Sequence, residues 1–368
     1  MFYPEIGGVE VTAKQIAEIG LISFDKSIVL TFNKENKIIE ENLNGLEIIR
    51  LNALIKRDPI RLSTNFSRYL RKFSDQNNVF VFHFPSIQSE LFFRLRDIKG
   101  YKICFYHADI ASHGTIGNIY NKFIVDKFLS KMDKIIASSP NIVETSPLLS
   151  KYKSKVEVIP SSVDVKHFHY FESNKRKDLF DMLKCNMNSD PKIILYIGRF
   201  GRYKGLDYFV KAFEFLPKNY FGILIGDGPT KMDVKFIVDS KKLNNRILFL
   251  DHVSYDELPK YYSSSDVFIL PSTDRGEAFG LVAVEAMACG VPVVTTELGT
   301  GTSYHNVDKV TGRVVEPRNS QQIANAILEI TKTGNYDRKL IRKRAKEFSL
   351  EKFESKWRKL FKTIQSGL

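Results

Sequence analysis

The chain has 368 residues, 43% hydrophobic and 26% charged, with 55 lysines and arginines against 42 acids and a formal charge of +13. That length favours two domains, and the composition is that of an ordinary globular protein. The opening Met-Phe-Tyr-Pro-Glu is no secretory signal, and no apolar run approaches the about 18 residues of a membrane span. Cys104, Cys185 and Cys289 stand far apart in largely apolar runs, without C-x-x-C or metal spacing, so reduced core thiols are expected. The positive charge favours polyanionic partners: nucleic acid, an anionic membrane or phosphorylated substrates. No nucleic-acid-binding signature accompanies it.

Gly7 and Gly8 precede a helix expected to begin near Val9. A glycine pair there lets backbone approach a ligand phosphate, the alternative being a plain tight turn. Buried strands are expected at 27–32 and 46–51. Between Arg50 and Lys72 seven basic residues face one acid, Asp58, with Ile60, Leu62, Phe66, Tyr69, Leu70 and Phe73 interleaved. This reads as a basic amphipathic stretch, fit for an anionic bilayer or a lipid-pyrophosphate acceptor, or as a solvated helix face. Strands follow at 79–84 and from Lys102. The second ends at His107 and Asp109, just past a carboxyl end, where open α/β sheets bind ligands. Two short strands at 135–139 and 156–160 lead to Pro160-Ser161-Ser162-Val163-Asp164, and residues 171–190 read as a polar surface connection.

A second α/β alternation opens at Lys192 and runs through Gly198 into Arg199-Phe200-Gly201-Arg202-Tyr203-Lys204-Gly205. Strand, glycine, basic loop and helix make an anion site, with arginine's planar fork and lysine's point charge directed at diphosphate oxygens. Further strands are expected from Phe221, at 247–250, 266–270, 291–295 and 312–316, with a turn beginning at His252-Val253-Ser254. The stretch Pro271–Gly290 holds a helix with no polar face apart from Glu285, stopped by Gly290 and Pro292. A carboxylate there needs a partner. Glu277 stands eight residues earlier, at the Gly276–Gly280 entrance. On helical geometry the two would lie about 12 Å apart, the span from a sugar to the ribose of a sugar nucleotide. The entrance would also aim free helix N-terminal amides at anionic oxygens. In the tail, Phe348, Leu350, Phe353, Trp357, Leu360, Phe361 and Ile364 recur at helical steps.

The E-x7-E of Glu277 and Glu285, Arg199 with Lys204 in G-R-x4-K-G, the P-x-x-G-G-x-E around Gly7 and Gly8, and His107 after its strand fall in an order that resembles the retaining glycosyltransferases of family GT4. The resemblance runs from Phe2 to about residue 365. It implies an α/β chain of GT-B fold, with two Rossmann-like domains facing across a cleft and a C-terminal helix crossing back to the first domain. The domains would be 1–160 on the acceptor side, 161–346 for the nucleotide sugar, and 347–368 for the returning helix. In relatives a short apolar strand precedes the Tyr-Pro; it is missing here, and its neighbours would have unpaired edges.

The family's chemistry implies transfer of a hexose with retention. Arg199 and Lys204 would stabilise the departing diphosphate, Glu277 the donor sugar's hydroxyls and Glu285 the ribose, and His107 would contact the transferred sugar. Gly7, Gly8, Phe279, Gly280 and Leu281 would border the donor, and Val253 the base. No metal and no further cofactor is expected, since no D-x-D triplet occurs. The 297–304 loop is similar to that of bacterial enzymes that use GDP-mannose to build cell-surface polysaccharide, with UDP-glucose, UDP-galactose or a deoxyhexose donor as alternatives. The implied acceptor is a lipid-linked O-antigen or capsule saccharide, and the implied location is cytoplasmic, peripheral on the inner face of the membrane. A GT-B sugar-nucleotide epimerase and an inactive GT-B module are the rival readings. A nucleic-acid binder would leave Glu277 and Glu285 without purpose.

Overall fold

In the computed structural model, which describes residues 2, 7–33, 35, 37–53, 55–57, 60–110, 115–184 and 190–367, the apolar runs form parallel strands joined by helices. Contacts divide the chain into residues 1–161 with 351–368, unit 1, and residues 162–350, unit 2. Each unit is a Rossmann-like α/β domain, as the GT-B reading expects of each.

In unit 1, β1 (Ile28–Asn33), β2 (Ile39–Leu43) and β3 (Leu46–Asn52) form a sheet in the order β1-β3-β2. A small hairpin follows, β4 (Ile55–Arg57) with β5 (Ile60–Leu62). Then β6 (Val79–Phe84), β7 (Tyr101–Tyr106), β8 (Lys134–Ala137) and β9 (Val156–Val158) make a parallel sheet in chain order. Among the described residues no strand pairs with the second edge of β1 or of β6, so the mixed first sheet, in which β2 runs antiparallel to β3, and the parallel second are separate. They still share a core, in which Ile28, Leu30 and Phe32 pack with Leu51, Phe82 and Phe84.

Two expectations change here. The basic stretch is not one helix. Arg50 is on β3, Arg61 is buried on β5, and only Asn65–Lys72 is helical. The two-residue alternation of Ile60 and Leu62 suits a hairpin, and the three- and four-residue spacing of Phe66 and Leu70 suits a helix. Residues 171–190 are likewise no mere surface connection. They include the helix Lys175–Leu183, which buries Leu179, Phe180 and Leu183. The first helix starts at Gly8, with Gly7 as its N-cap.

The tail helix, Leu350–Gln365, packs within unit 1 because its apolar residues share one face. Phe353, Trp357, Leu360, Phe361 and Ile364 meet Ile16, Ile19, Ile103, Phe105 and Ile136, with the Trp357 and Phe105 rings stacked at 6.1 Å. Phe348, which fitted the same periodicity, lies before the helix and packs in unit 2 against Phe279 and Tyr304. Among the described residues no helix is long and apolar enough to cross a membrane. Cys104 and Cys289 are buried free thiols; Cys185 lies outside the described residues.

Unit 2 has one six-stranded sheet: β10 (Lys192–Ile197), β11 (Tyr220–Ile225), β12 (Ile247–Leu250), β13 (Val267–Leu270), β14 (Val293–Thr296) and β15 (Gly312–Val315). All its pairings are parallel, in the order β12-β11-β10-β13-β14-β15. Alternate side chains of a strand point to opposite faces. Ile193, Leu195 and Ile197 therefore enter one core, and Ile194 and Tyr196 the other. Both faces are covered, which is why these strands read as unbroken apolar runs. The strand order reverses between β10 and β13. The loops after these two strands therefore diverge at a topological switch point, where open α/β sheets bind ligands.

Candidate functional site

The loop after β10 begins at Gly198 and ends in a tight turn, Arg202–Lys204, closed by Gly205 at φ +63°. A side chain on Gly205 would collide with the Pro271 carbonyl, so the turn lies directly against the loop after β13. A hydrogen bond from Thr273 N to Tyr203 O, 2.7 Å, joins the two loops. Lys204 Nζ thereby comes within 2.6 Å of Glu277 Oε2, and Ser272 Oγ donates to the same oxygen at 2.8 Å. All three residues are buried.

Burial alone would lower the Lys204 pKa. The Glu277 carboxylate, helped by Tyr203 and Tyr196, outweighs it and holds the ammonium above its ordinary range. Lys204 is thus charged at every physiological pH. Its ammonium also lies 5.1 Å from the centre of the Tyr203 ring. Arg199 is exposed at the start of the same loop and makes no ion pair among the described residues.

Below the Glu277 loop lies a layer of buried hydroxyls. Thr300 Oγ1 donates to Glu277 O at 2.8 Å, Thr296 Oγ1 to Ser272 O at 2.6 Å, and Thr302 Oγ1 to Thr296 O at 2.9 Å. Small β-branched alcohols satisfy buried carbonyls with few rotamers to lose, so the loop is held rigidly. The loop ends at Gly280, φ +77°, which caps the helix Leu281–Ala288 without any side-chain hydrogen bond. Ala283 N bonds back to Gly280 O at 2.9 Å, and no side-chain cap takes the amides of Leu281 and Val282, which suit an anionic ligand.

Glu285 lies on that helix, partly buried, and Tyr262 Oη donates to its Oε2 at 2.7 Å. Burial pushes the Glu285 carboxyl up to about 7, and the Tyr262 hydrogen bond only partly offsets this. Glu277 is in the loop, four residues before Leu281, so the two carboxylates do not share one helix. The 12 Å helical spacing expected between them therefore does not apply.

Phe279 packs its ring against Phe348 and His305, and its carbonyl accepts from His305 Nε2 at 2.8 Å. Val253 follows β12, partly buried against the same core. Phe279, being buried, can face a ligand only through backbone.

In unit 1, His107 is buried after β7, where its backbone amide extends the ladder to Phe84 O at 3.0 Å. Its Nε2 meets His83 Nδ1 at 2.9 Å. Burial holds both imidazoles below their ordinary range, His83 at about 4, so the pair is neutral and one ring must donate to the other. Asp109 has a structural part: it accepts from Tyr106 Oη at 2.6 Å and from Ser146 Oγ at 2.5 Å. Gly7 and Gly8 open the first helix of this unit. Gly7 is extended, and an added Cβ would meet only the flexible end of the Glu10 side chain, so its backbone geometry does not by itself demand glycine.

Ser272, Tyr262 and His83 escaped sequence reasoning. Ser272 follows directly on the β13 strand and could have been suspected. Tyr262 and His83 carry no motif at all. Tyr262→Phe removes one hydrogen bond to a charged group, worth about 1.5–3 kcal/mol. It is expected to raise the Glu285 pKa further and to weaken nucleotide binding about tenfold at pH 7, as read by calorimetry.

A buried ammonium, a capless helix start and a carboxylate, all at the carboxyl ends of neighbouring parallel strands, can hold a diphosphate on one side and hydroxyls on the other. The family described as "Glycosyl transferases group 1" matches residues 180–347, which span this cluster. The O-antigen chain mannosyltransferase C of Escherichia coli is 26% identical over 335 residues, covering 89% of this chain and 86% of that protein. The D-rhamnosyltransferase WbpZ of Pseudomonas aeruginosa is 26% identical over 313 residues, covering 85% and 79%. Among solved structures, sucrose-phosphate synthase from Thermosynechococcus elongatus has a TM-score of 0.79 at 23% identity, covering 98% of this chain and 94% of its own. Anabaena HepE in complex with UDP has a TM-score of 0.73 at 17% identity, covering 98% and 99%.

Proposed function

We propose that this chain, residues 180–347 of which match the group 1 glycosyltransferases, is a transferase of GT-B fold that moves mannose from GDP-mannose, with retention, onto a lipid-linked saccharide used for cell-surface polysaccharide. The observation that carries this reading is the buried Lys204–Glu277–Ser272 cluster beside the capless start of the helix Leu281–Ala288. Lys204 and the exposed Arg199 take the diphosphate oxygens, where negative charge grows as the sugar leaves. A cation held in place beforehand in a dry site costs no reorganisation when that charge appears. Glu277, steadied by Ser272 and Thr300, accepts from hydroxyls of the donor sugar. Glu285 accepts from the ribose, while the amides at Gly280 and Leu281 and the backbone at Phe279 and Val253 complete the donor contacts.

In unit 1, His107 is proposed to contact the transferred sugar, and Gly7 and Gly8 to border a phosphate. With its Nε2 engaged by His83, His107 has Nδ1 left for that contact. These residues need no metal to balance the departing charge. The acceptor places the protein peripherally on the inner face of the membrane.

Mannose is favoured because the Escherichia coli relative, alike over most of both chains, is an O-antigen mannosyltransferase. A UDP-sugar donor is the second reading, supported by the UDP bound in the HepE structure. Calorimetric titration with GDP, UDP, GDP-mannose and UDP-glucose separates them. GDP and GDP-mannose are expected to bind at least tenfold tighter than their uridine counterparts. The reverse preference would replace mannose by a UDP-linked hexose, and binding of none would remove the transferase reading.

A further inference from the structure

Unit 1 has an open cleft of about 550 Å³, with no part of its lining from His107, between the helix Asn65–Lys72 and the helix Ile87–Leu95. Leu62 and Leu91 form its apolar wall, and Ser63, Thr64, Ser67, Arg71, Gln88 and Arg96 supply every polar group. None of these is a carboxylate. Existing hydrogen bonds leave donors on these side chains unspent. Gln88 Oε1 is taken by Ser63 N at 2.7 Å, so its amide nitrogen remains to donate. Ser63 Oγ accepts from Asn65 N at 3.2 Å, which leaves its own hydrogen. Arg71 spends Nε on Ser67 O at 3.2 Å and keeps the outer edge of its guanidinium.

Neither Arg71 nor Arg96 has an acidic partner among the described residues, and Arg68, Lys72 and Arg94 add exposed cations on the same two helices. Nearby acids are engaged elsewhere: Asp97 with Lys102 at 3.8 Å and Lys131 at 3.7 Å, Glu40 with Tyr69 Oη at 3.1 Å. Cations gathered without counter-charge repel one another, and an anion relieves that repulsion. Arginine forks and hydroxyl donors suit a phosphate better than a carboxylate, since phosphate offers more acceptor oxygens at more angles. Leu95, the chain neighbour of Arg96, is 82% exposed, so an apolar surface adjoins the cations.

We propose that this cleft is an anion site for the phosphate or diphosphate group of a second ligand, one taken by unit 1 and separate from the nucleotide. Its identification with the anionic end of the acceptor rests on the transferase reading; the anion site itself does not. The test is calorimetry with inorganic pyrophosphate and with farnesyl diphosphate, in the presence and absence of GDP or UDP, on the full chain and on its Arg71→Ala/Arg96→Ala variant. Both arginines are exposed, so the variant is expected to keep its melting midpoint and nucleotide affinity while losing at least tenfold in pyrophosphate affinity. Unchanged pyrophosphate affinity overturns the site, and so does a parallel loss of nucleotide affinity. Farnesyl diphosphate binding at least tenfold tighter than pyrophosphate assigns the ligand to lipid diphosphates. Equal affinity assigns it to water-soluble phosphates, and either result supports the anion site. Should neither nucleotide bind while the arginine effect persists, the transferase reading fails and the anion site stands.

Discussion

Replacing Lys204 by alanine is expected to lower kcat by about 100- to 1,000-fold, the usual cost of removing one group that stabilises charge in the transition state. The same change should destabilise unit 2 by about 3–5 kcal/mol, because it leaves the buried Glu277 carboxylate with Ser272 as its remaining side-chain donor. The two effects can be separated. A Lys204→Met/Glu277→Gln double variant removes both charges from the buried site, and such replacements are often neutral for stability. It should recover most of the melting midpoint and none of the turnover. If activity returned with stability, Lys204 would be a structural lysine and the diphosphate assignment would be wrong. A double variant as unstable as the single one would mean that the loop is held by the charge pair and not by the threonine layer beneath it.

Glu285→Gln is the second large effect, and pH gives it a signature. The carboxyl titrates at about 7 in the folded protein, above the ordinary glutamate range. If the ionised form accepts the ribose hydroxyls, nucleotide affinity of the parent protein falls about tenfold per unit as pH drops below 7 and levels off above it. The Glu285→Gln variant should bind about 10- to 100-fold more weakly at pH 8, the worth of one or two hydrogen bonds to a charged group, with no slope between pH 5 and 8. Stability moves the other way. A carboxyl raised by burial releases its proton at lower pH when unfolded, so its contribution is present below about 4.5 and is lost as pH rises through 7. Above pH 7 the ionised carboxylate is a net cost, and Glu285→Gln should stabilise the protein there by up to about 3 kcal/mol, less for whatever solvent reaches the group. A variant with parental affinity at pH 8 would remove the ribose role. One that is less stable than the parent at pH 8 would contradict the buried, raised carboxyl.

Much of the scaffold was legible because it is local. Strands of one buried sheet are apolar at every position, and Ile193–Ile197, Phe221–Ile225 and Val267–Leu270 read so directly. Gly205 and Gly280 mark turns that need positive φ, and the basic residues between Gly198 and Gly205 stand where a strand hands over to a helix. In the tail, one apolar face over Leu350–Gln365 was visible as three- and four-residue steps. Local pattern also misled. Phe348 fits that face by spacing, but Ser349 is extended, and the chain changes direction before the helix starts. The basic run from Arg50 to Lys72 looked continuous because charge carries no period, and it is divided among a strand, a hairpin and a short helix.

What the sequence determined by itself was the set of elements, their order, and the residue types waiting at their carboxyl ends. Those follow from neighbouring residues, through hydrophobic period, glycine freedom and proline stops. Which side chains meet was decided only in the tertiary structure. Lys204 and Glu277 are 73 residues apart and touch because β13 inserts beside β10, ahead of β11 and β12 on the other side. Tyr262 reaches Glu285, and His83 reaches His107, through the same kind of long-range packing. Strand order depends on crossovers and on burial of both sheet faces, and no short window of sequence contains that information. The protonation of Glu285 and the charge on Lys204 follow from it in turn, since a pKa is set by the surroundings and the surroundings are assembled from distant parts of the chain.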